Sequence, residues 1–432
     1  MDLVRGSRQA AAARAIPATA AVVLLLFFLS VSQHCAAQEH WVGSWAAAQQ
    51  LMEPDNRLPP ENLEDSTLRQ VVHLSIGGNI LRIHISNAFG TVPLHLTSVH
   101  VARAQSTAES AIDPATDKLV TFSGRSDATI PPGAEYWSDP VALDVPALSD
   151  VAISIHYDHA PAGQTGHPGS RATSYYMHGN AVSTRTLPNA HTVERWYQLS
   201  EVDVGASDGS KAVVAIGDSI TDGHGTTTNG NDRWTDILAR RFQLSPCTAD
   251  IGVLNAGIGG NRVLLDQLGP NALARFDRDV LARPGVSFLI LLEGVNDLGM
   301  LTRDGEVSAA RHQALVQELI GAYQQIVERA HARGVVVIGG TLSPYGNSNY
   351  YHPGPLSEDD RQALNTWIRT PGHFDAVVDF DKLLADPSHP AQMLSAYDSG
   401  DHLHPSLAGY RAMAQAVPLT LFANCAEQAH PK

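Results

Sequence analysis

The sequence predicts two structural regions in succession. The first is an antiparallel β-sandwich or jelly-roll-like region, and the second an α/β region built on a doubly wound, mostly parallel five-stranded sheet. Three observations predict this. Between His40 and about Val204, short alternating apolar–polar runs recur with turn signals between them. From Ala212 onward, short apolar runs alternate with helical stretches. A Gly205-Ala-Ser-Asp-Gly209 stretch separates the two patterns and reads as a linker. The expected division is 1–37 as a leader, 38–205 as the β-rich region and 206–432 as the α/β region.

The leader comes first. Arg5, Arg8 and Arg14 precede an apolar run from Ala20 to Val31, and Cys35-Ala36-Ala37 follows. A basic start, an apolar centre and small residues at a cleavage site make a secretory signal peptide. The apolar run is too short to span a membrane comfortably. Cleavage after Ala37 leaves 395 of the 432 residues, with export and no stable membrane anchor as the expectation. A formal charge of −15 argues against nucleic acid and anionic membrane surfaces as partners. Nothing in the sequence specifies an oligomeric state.

The β-rich region carries the runs Leu68–Ser75, Ile80–Ser86, Leu94–Val101 and Val151–Tyr157. Gly77-Gly78, Pro131-Pro-Gly133 and Pro161-Ala-Gly163 punctuate them. His73, His84 and His156 alternate with apolar neighbours, which reads as a solvated sheet face rather than a metal site. Trp41 and Trp45 suit either a strand core or a sugar-stacking surface.

In the α/β region, strands are expected at Ala212–Ile216, Ile251–Leu254, Ser287–Leu292, Val335–Thr341 and Ala376–Phe380. The clearest helix runs from Val307 to Arg333. There Leu315, Leu319, Ala322, Ile326 and Ala330 keep the spacing of one buried face, and Gly334 supplies a stop. Right-handed crossovers bring the carboxyl ends of all these strands to one edge. Gly217-Asp-Ser219 follows the first strand, and the glycine-rich Asn255–Arg262 turn follows the second. Glu293-Gly-Val-Asn-Asp297 follows the third, and Asp401-His-Leu-His-Pro405 comes after the fifth.

That convergence fits acyl transfer. A serine hydroxyl is a weak nucleophile and needs a base that is itself held by a third group. Ser219, His404 and Asp401 supply these types. An oxyanion needs preorganised donors, and the amides of Ser219 and Gly260 with the side chain of Asn296 are the natural set. Each residue also has a plainer reading: Ser219 as a helix cap, Asp401 and Asn296-Asp297 as turn residues, Gly259-Gly260 as a bend, His404 as a helix-start residue. Four such segments in order, each past its own strand, argue for the site.

The Gly-Asp-Ser-Ile around Ser219, Gly260 after Asn255, Asn296 in Gly-Val-Asn-Asp, and Asp401-x-x-His404 resemble the four signature blocks of the SGNH hydrolases, or GDSL-motif esterases. Isoleucine replaces the usual leucine of the first block. The resemblance spans about Lys211 to Phe422 and implies a flavodoxin-like sheet. It implies Ser219 as nucleophile, Gly260 and Asn296 in the oxyanion hole, His404 as base and Asp401 as its partner, with no cofactor or metal. Leu292–Asp297 and Asn261-Arg262 look like a secreted bacterial branch with an N-terminal β-region that begins near a Trp-x-x-x-Trp, which Trp41 and Trp45 match in type.

Other classes fit less well. A lipase-type elbow needs glycine where Thr221 stands. Gly257-Ile-Gly259-Gly260 lacks a dinucleotide fingerprint. Asp401, His402 and His404 have no second ligand cluster for a metal hydrolase. A non-catalytic carbohydrate-binding protein is the rival from a different class, and the presence of Ser219 speaks against it. The expected substrate is a small-molecule or polysaccharide ester, with acetylated polysaccharide first and a lysophospholipid or short-chain lipid ester second. Arg262 is a candidate contact for an anionic group. Cys247 and Cys425 form a disulfide candidate in an exported chain.

Overall fold

The computed structural model describes residues 39–422. The predicted leader and Cys425 lie outside the described residues.

The β-rich region contains β1 (His40–Ala46), β2 (Ser66–His73), β3 (Gly78–Ser86), β4 (Ser98–Arg103), β5 (Val141–Val145), β6 (Asp150–Tyr157), β7 (Thr165–His167), β8 (Ser174–His178) and β9 (Leu199–Ala206). One antiparallel sheet runs β1-β9-β3-β5, and a second has β8-β2-β6-β4 at its centre. Side chains alternate across a strand. Leu68 and Val72 of β2 therefore join Leu81, Ile83, Ile85, Val202 and Val204 of the other sheet in one core. Val71, on the opposite face of β2, packs with Ala102, Ala152 and Tyr175 in a smaller cluster. Leu94–Val101, one strand in the sequence pattern, is two: Leu94–Leu96 and β4.

The α/β region follows as β10 (Lys211–Gly217), α1 (Ser219–Asp222), α2 (Trp234–Gln243), β11 (Ile251–Gly257), α3 (Ala272–Phe276), β12 (Val286–Leu292), α4 (Val295–Thr302), α5 (Ala309–His331), β13 (Val336–Gly340), α6 (Pro355–Arg369), β14 (Ala376–Val378) and α7 (Leu407–Ala416). Its sheet is parallel throughout, in the order β11-β10-β12-β13-β14. Ala212 to Ile216 are almost wholly buried, as expected for a central strand covered on both faces. In α5, Leu315, Leu319, Ala322, Tyr323, Ile326 and Ala330 form the buried stripe, and Ser308 caps the first turn through its side chain. The strand order reverses between β10 and β12, where open α/β sheets form their ligand crevice.

The expected linker is a tight turn. Gly205 and Ala206 still pair with β1, Ser207 accepts from the Ser210 N–H at 3.0 Å, and β10 starts at Lys211. Strand β1 lies against β11, the edge strand of the parallel sheet. The Gly43 N–H donates to Pro284 at 3.0 Å, and the Val253 N–H donates to the Ser75 hydroxyl at 2.9 Å. The backbones approach so closely that a Cβ at 252 would run into the Gly43 carbonyl oxygen.

Further along this seam, the structure corrects the reading of the strand histidines. His84 is fully buried, His156 is buried, and His73 pairs with Asp150 at 2.7 Å. The three lie on two sheets: His84, on β3, faces Glu201 and Asp203 near the α/β region, whereas His156, on β6, bonds Thr97 and Asp65 within the β-rich region. Arg283 reaches Glu201 at 2.7 Å and Asp279 at 3.5 Å, while His84 and Arg82 both bond Asp203. Buried charges require partners, and here each half of the molecule supplies them to the other. Trp45 fills the core edge-on to Trp196 at 4.8 Å, and Arg82 lies 4.1 Å over Trp41.

Candidate active site

The apolar strand β10 ends at Gly217, and the chain turns at once into α1. Asp218 caps that helix by accepting from the Ile220 N–H at 2.9 Å. Ser219 is therefore the first helical residue, and its N–H is among those with no intrahelical partner. Its side chain sits at the carboxyl edge of the sheet.

The segment before α7 meets it there. His404 Nε2 lies 2.8 Å from Ser219 Oγ, and His404 Nδ1 lies 2.6 Å from Asp401 Oδ2. The other oxygen of Asp401 accepts from the N–H groups of Leu403 and His404 at 2.9 and 2.8 Å. Burial pushes the Asp401 carboxyl up, but the imidazole and these amides outweigh it and hold the group well below its ordinary value. It is an anion at any working pH, fixed on the far side of the imidazole from the serine.

Gly260 and Asn296 complete the cluster. Gly260 has φ +73°, a left-handed conformation that favours glycine, and its N–H donates to no acceptor among the described residues. Asn296 is the second residue of α4, which follows β12. Its Nδ2 donates to the Asn261 carbonyl at 2.7 Å, and its Oδ1 accepts from the Tyr351 hydroxyl. An amide nitrogen has two hydrogens, so one remains for a ligand. Asp297, the next residue, accepts from the N–H groups of Val263 and Leu264 at 2.8 and 3.1 Å. This ties the glycine-rich turn to α4.

Several supporting residues carry no signature in the sequence. Arg275 is buried beneath the site. It donates to the Gly217 carbonyl at 3.1 Å, to Asn261 Oδ1 at 3.0 Å and to the Ala256 carbonyl at 2.6 Å. One guanidinium thus fixes the ends of β10 and β11 and the turn that carries Gly260. Around it lie the carboxyls of Asp218, Glu293 and Asp297. Burial raises Asp218 to about 7 and Asp297 to about 6, and it also raises Glu293. Tyr351 orients Asn296, yet nothing in its spacing sets it apart from a core tyrosine.

The β-rich region also contributes. His167, at the end of β7, bonds Asp222 of α1 at 2.8 Å. Arg171 places Nη2 3.5 Å from His224 Nδ1, and the His224 ring lies 4.0 Å from that of His404. His402 turns to Asp398 at 2.6 Å, whereas His224, Asp401 and His404 offer atoms within 4.8 Å of one another that could hold a metal ion. Arg262 donates to the backbone of Asp266 at 2.8 Å.

A model of the GDSL-like lipase/acylhydrolase family matches residues 215–412. No curated protein matches the chain. Among solved structures, similar chains include a protein described as lipolytic and of the G-D-S-L family from Desulfitobacterium hafniense. It is 25% identical with a TM-score of 0.34, over 48% of this chain and 97% of that one. A GDSL-like lipase from Bacteroides thetaiotaomicron is 20% identical with a TM-score of 0.36, over 49% and 87%. An acetyl xylan esterase from Geobacillus stearothermophilus is 20% identical with a TM-score of 0.35, over 49% and 94%.

Proposed function

We infer, from the premise that residues 215–412 are a GDSL-like lipase/acylhydrolase domain and so an ester-hydrolysing unit, that this chain is a serine carboxylic-ester hydrolase working through an acyl-enzyme. One observation carries the reading: the continuous hydrogen-bonded line Ser219–His404–Asp401, with the donors of Gly260 and Asn296 beside it.

The steps follow from that line. Ser219 Oγ attacks the ester carbonyl carbon while its proton passes to His404 Nε2. Asp401 stabilises the resulting imidazolium and keeps Nδ1 protonated. The carbonyl oxygen becomes an oxyanion held by the N–H groups of Ser219 and Gly260 and by Asn296 Nδ2. Collapse breaks the bond to the alcohol oxygen, which takes the proton from His404. Water then repeats the sequence on the acyl-serine, releasing the acid and free serine.

Within this reading the chain is exported and the substrates are short-chain or acetyl esters on polysaccharide. The leader-like first 37 residues, the acidic charge and the large β-rich region support it. A disulfide between Cys247 and Cys425 belongs to the same export reading. A short-chain lipid ester or lysophospholipid is the second choice.

The test is labelling with a fluorophosphonate. A single label on Ser219, lost together with turnover of 4-nitrophenyl acetate in Ser219→Ala, is the expected result. Turnover retained in that variant, or a label on another residue, would remove Ser219 from the mechanism.

A further inference from the structure

The strongest unused feature beside the site is a cation supplied by the β-rich region. Arg171 is partly buried and forms no ion pair with any carboxylate among the described residues. Its Nε is buried without a hydrogen-bond partner, and its one side-chain hydrogen bond among the described residues is the long 3.5 Å approach to His224 Nδ1. In a chain with 44 acidic residues against 29 Lys and Arg, an arginine left this open requires an explanation. Burying guanidinium hydrogens unpaired is costly.

The backbone holds Arg171 in place from several sides. It has φ +48°, its carbonyl accepts from the Asn229 N–H at 2.9 Å, and the neighbouring Ser170 carbonyl accepts from Arg233. Two residues further on, the Thr173 N–H donates to Asn229 Oδ1 at 2.8 Å. The side chain lines a groove of about 540 Å³ together with Thr173, Thr192, Glu194 and Arg195. Arg195 bonds only the neutral oxygens of Asn56 and Asp55, at 2.9 and 3.5 Å, and it too has no carboxylate partner among the described residues. Glu194, the one acid in the groove, accepts from the Thr228 hydroxyl at 3.0 Å.

The groove meets the candidate site at Arg171 alone, whose Nη2 lies 3.5 Å from His224 Nδ1, and the His224 ring lies 4.0 Å from that of His404. In the proposed mechanism the leaving alcohol takes its proton from His404, so it lies on this side. The acyl oxygen lies on the other, at Gly260 and Asn296. We propose that Arg171, with Arg195 further along the groove, selects esters whose alcohol portion carries carboxylates, namely O-acetylated polyuronides. Arg171 is a specificity residue here and takes no part in proton transfer. A guanidinium fork matches a carboxylate in two parallel hydrogen bonds, and two cations along an open groove suit a chain that repeats its charge. This inference deepens the serine-esterase reading and rests on it.

The test uses the full chain and three acetyl esters: acetylated polygalacturonate, neutral acetylated xylan and an acetylated glycerophosphate. Wild type, Arg171→Gln and Ser219→Ala are compared at low and high salt. The expected result is that Arg171→Gln lowers kcat/KM on the polyuronide at least tenfold more than on the xylan. Wild-type preference for the polyuronide should shrink in high salt, as exposed charge attraction does. An equal fall on both polysaccharides, or no fall, overturns the proposal. So does a selective fall confined to the phosphate ester. If Ser219→Ala remains active, the serine reading itself has failed, which is distinct from Arg171→Gln failing to discriminate in an enzyme that depends on Ser219.

Discussion

Of the histidines that hydrogen-bond an aspartate, His404 and His84 make the sharpest contrast, and of these two only His404 is placed to work as a base. His404 has Asp401 at 2.6 Å on one nitrogen and the Ser219 hydroxyl at 2.8 Å on the other. His84 has Asp203 at 2.8 Å on one nitrogen, and Glu135 and Glu201 at 3.4 and 3.5 Å on the other, with Trp137 stacked at 4.4 Å. Burial alone would push the His84 imidazole down, but its three acidic neighbours outweigh that and raise it to about 9. It is a fixed cation in a sealed seam. The contrast shows that a histidine–carboxylate pair is not a catalytic unit by itself. What matters is whether the second nitrogen meets a group with a proton to give up.

The sharpest way to break this comparison is to neutralise the carboxylate of each pair. Asp401→Asn should lower kcat by about four orders of magnitude through loss of the preferred tautomer and of imidazolium stabilisation, with the melting temperature nearly unchanged. A kcat within tenfold of wild type would put His404 in the same class as His84.

A smaller effect, on stability rather than rate, is expected at the seam. Arg283→Met leaves Glu201 and Asp279 short of a buried partner and should destabilise the fold by about 3–5 kcal/mol in denaturant unfolding. Turnover by the folded fraction should stay within a few-fold. Unchanged unfolding would mean that the seam charges are solvated in solution.

The gentlest test is pH. His84 is raised to about 9 from 6.5, and Glu201 to about 7 from 4.5. A group whose folded value is raised stabilises fully below its unfolded value and loses that contribution as pH rises through the folded one. Stability should therefore fall from pH 4.5 to about 7 through Glu201 and from 6.5 to about 9 through His84. Glu135, lowered from 4.5 to about 2, loses its contribution as pH falls from 4.5 to about 2, outside this range. Melting curves from pH 6 to 9.5 should slope downward for wild type and less steeply for His84→Asn. Parallel curves for the two proteins would exclude His84 as a source of the slope.

Sequence made the catalytic edge easier to see than the seam, and the reason is physical. Strands β10, β11 and β12 begin as short apolar runs, and each ends at a chain reversal that carries glycine or a capping residue. Ser219, Gly260 and Asn296 therefore stand out by position alone. Asp401 and His404 are three residues apart, so local geometry brings them together. Tyr351, Arg275 and Arg171 reach the site by tertiary packing from segments without periodic signals. In sequence they cannot be told from a core tyrosine or a surface arginine. His84 misleads for a related reason: strand alternation reports that a face is polar, but not that another region will cover it.

The contact between β1 and β11 bears on how the chain should be handled. In an isolated α/β sheet β11 would be an edge strand, with backbone groups open to any passing strand, the usual route to intermolecular pairing. Here Ser75 accepts from the Val253 N–H, and β1 lies close enough that only glycine fits at 252. A fragment starting near residue 206 would keep Ser219, Gly260, Asn296, Asp401 and His404, yet lose His167 and Arg171, uncover that strand and strip Arg283 of Glu201. Such a fragment should self-associate, its sedimentation shifting with concentration where that of the full chain does not. The β-rich region thus covers the open edge of the parallel sheet, and fusions or domain exchanges that cut at the Ser207–Ser210 turn would uncover it.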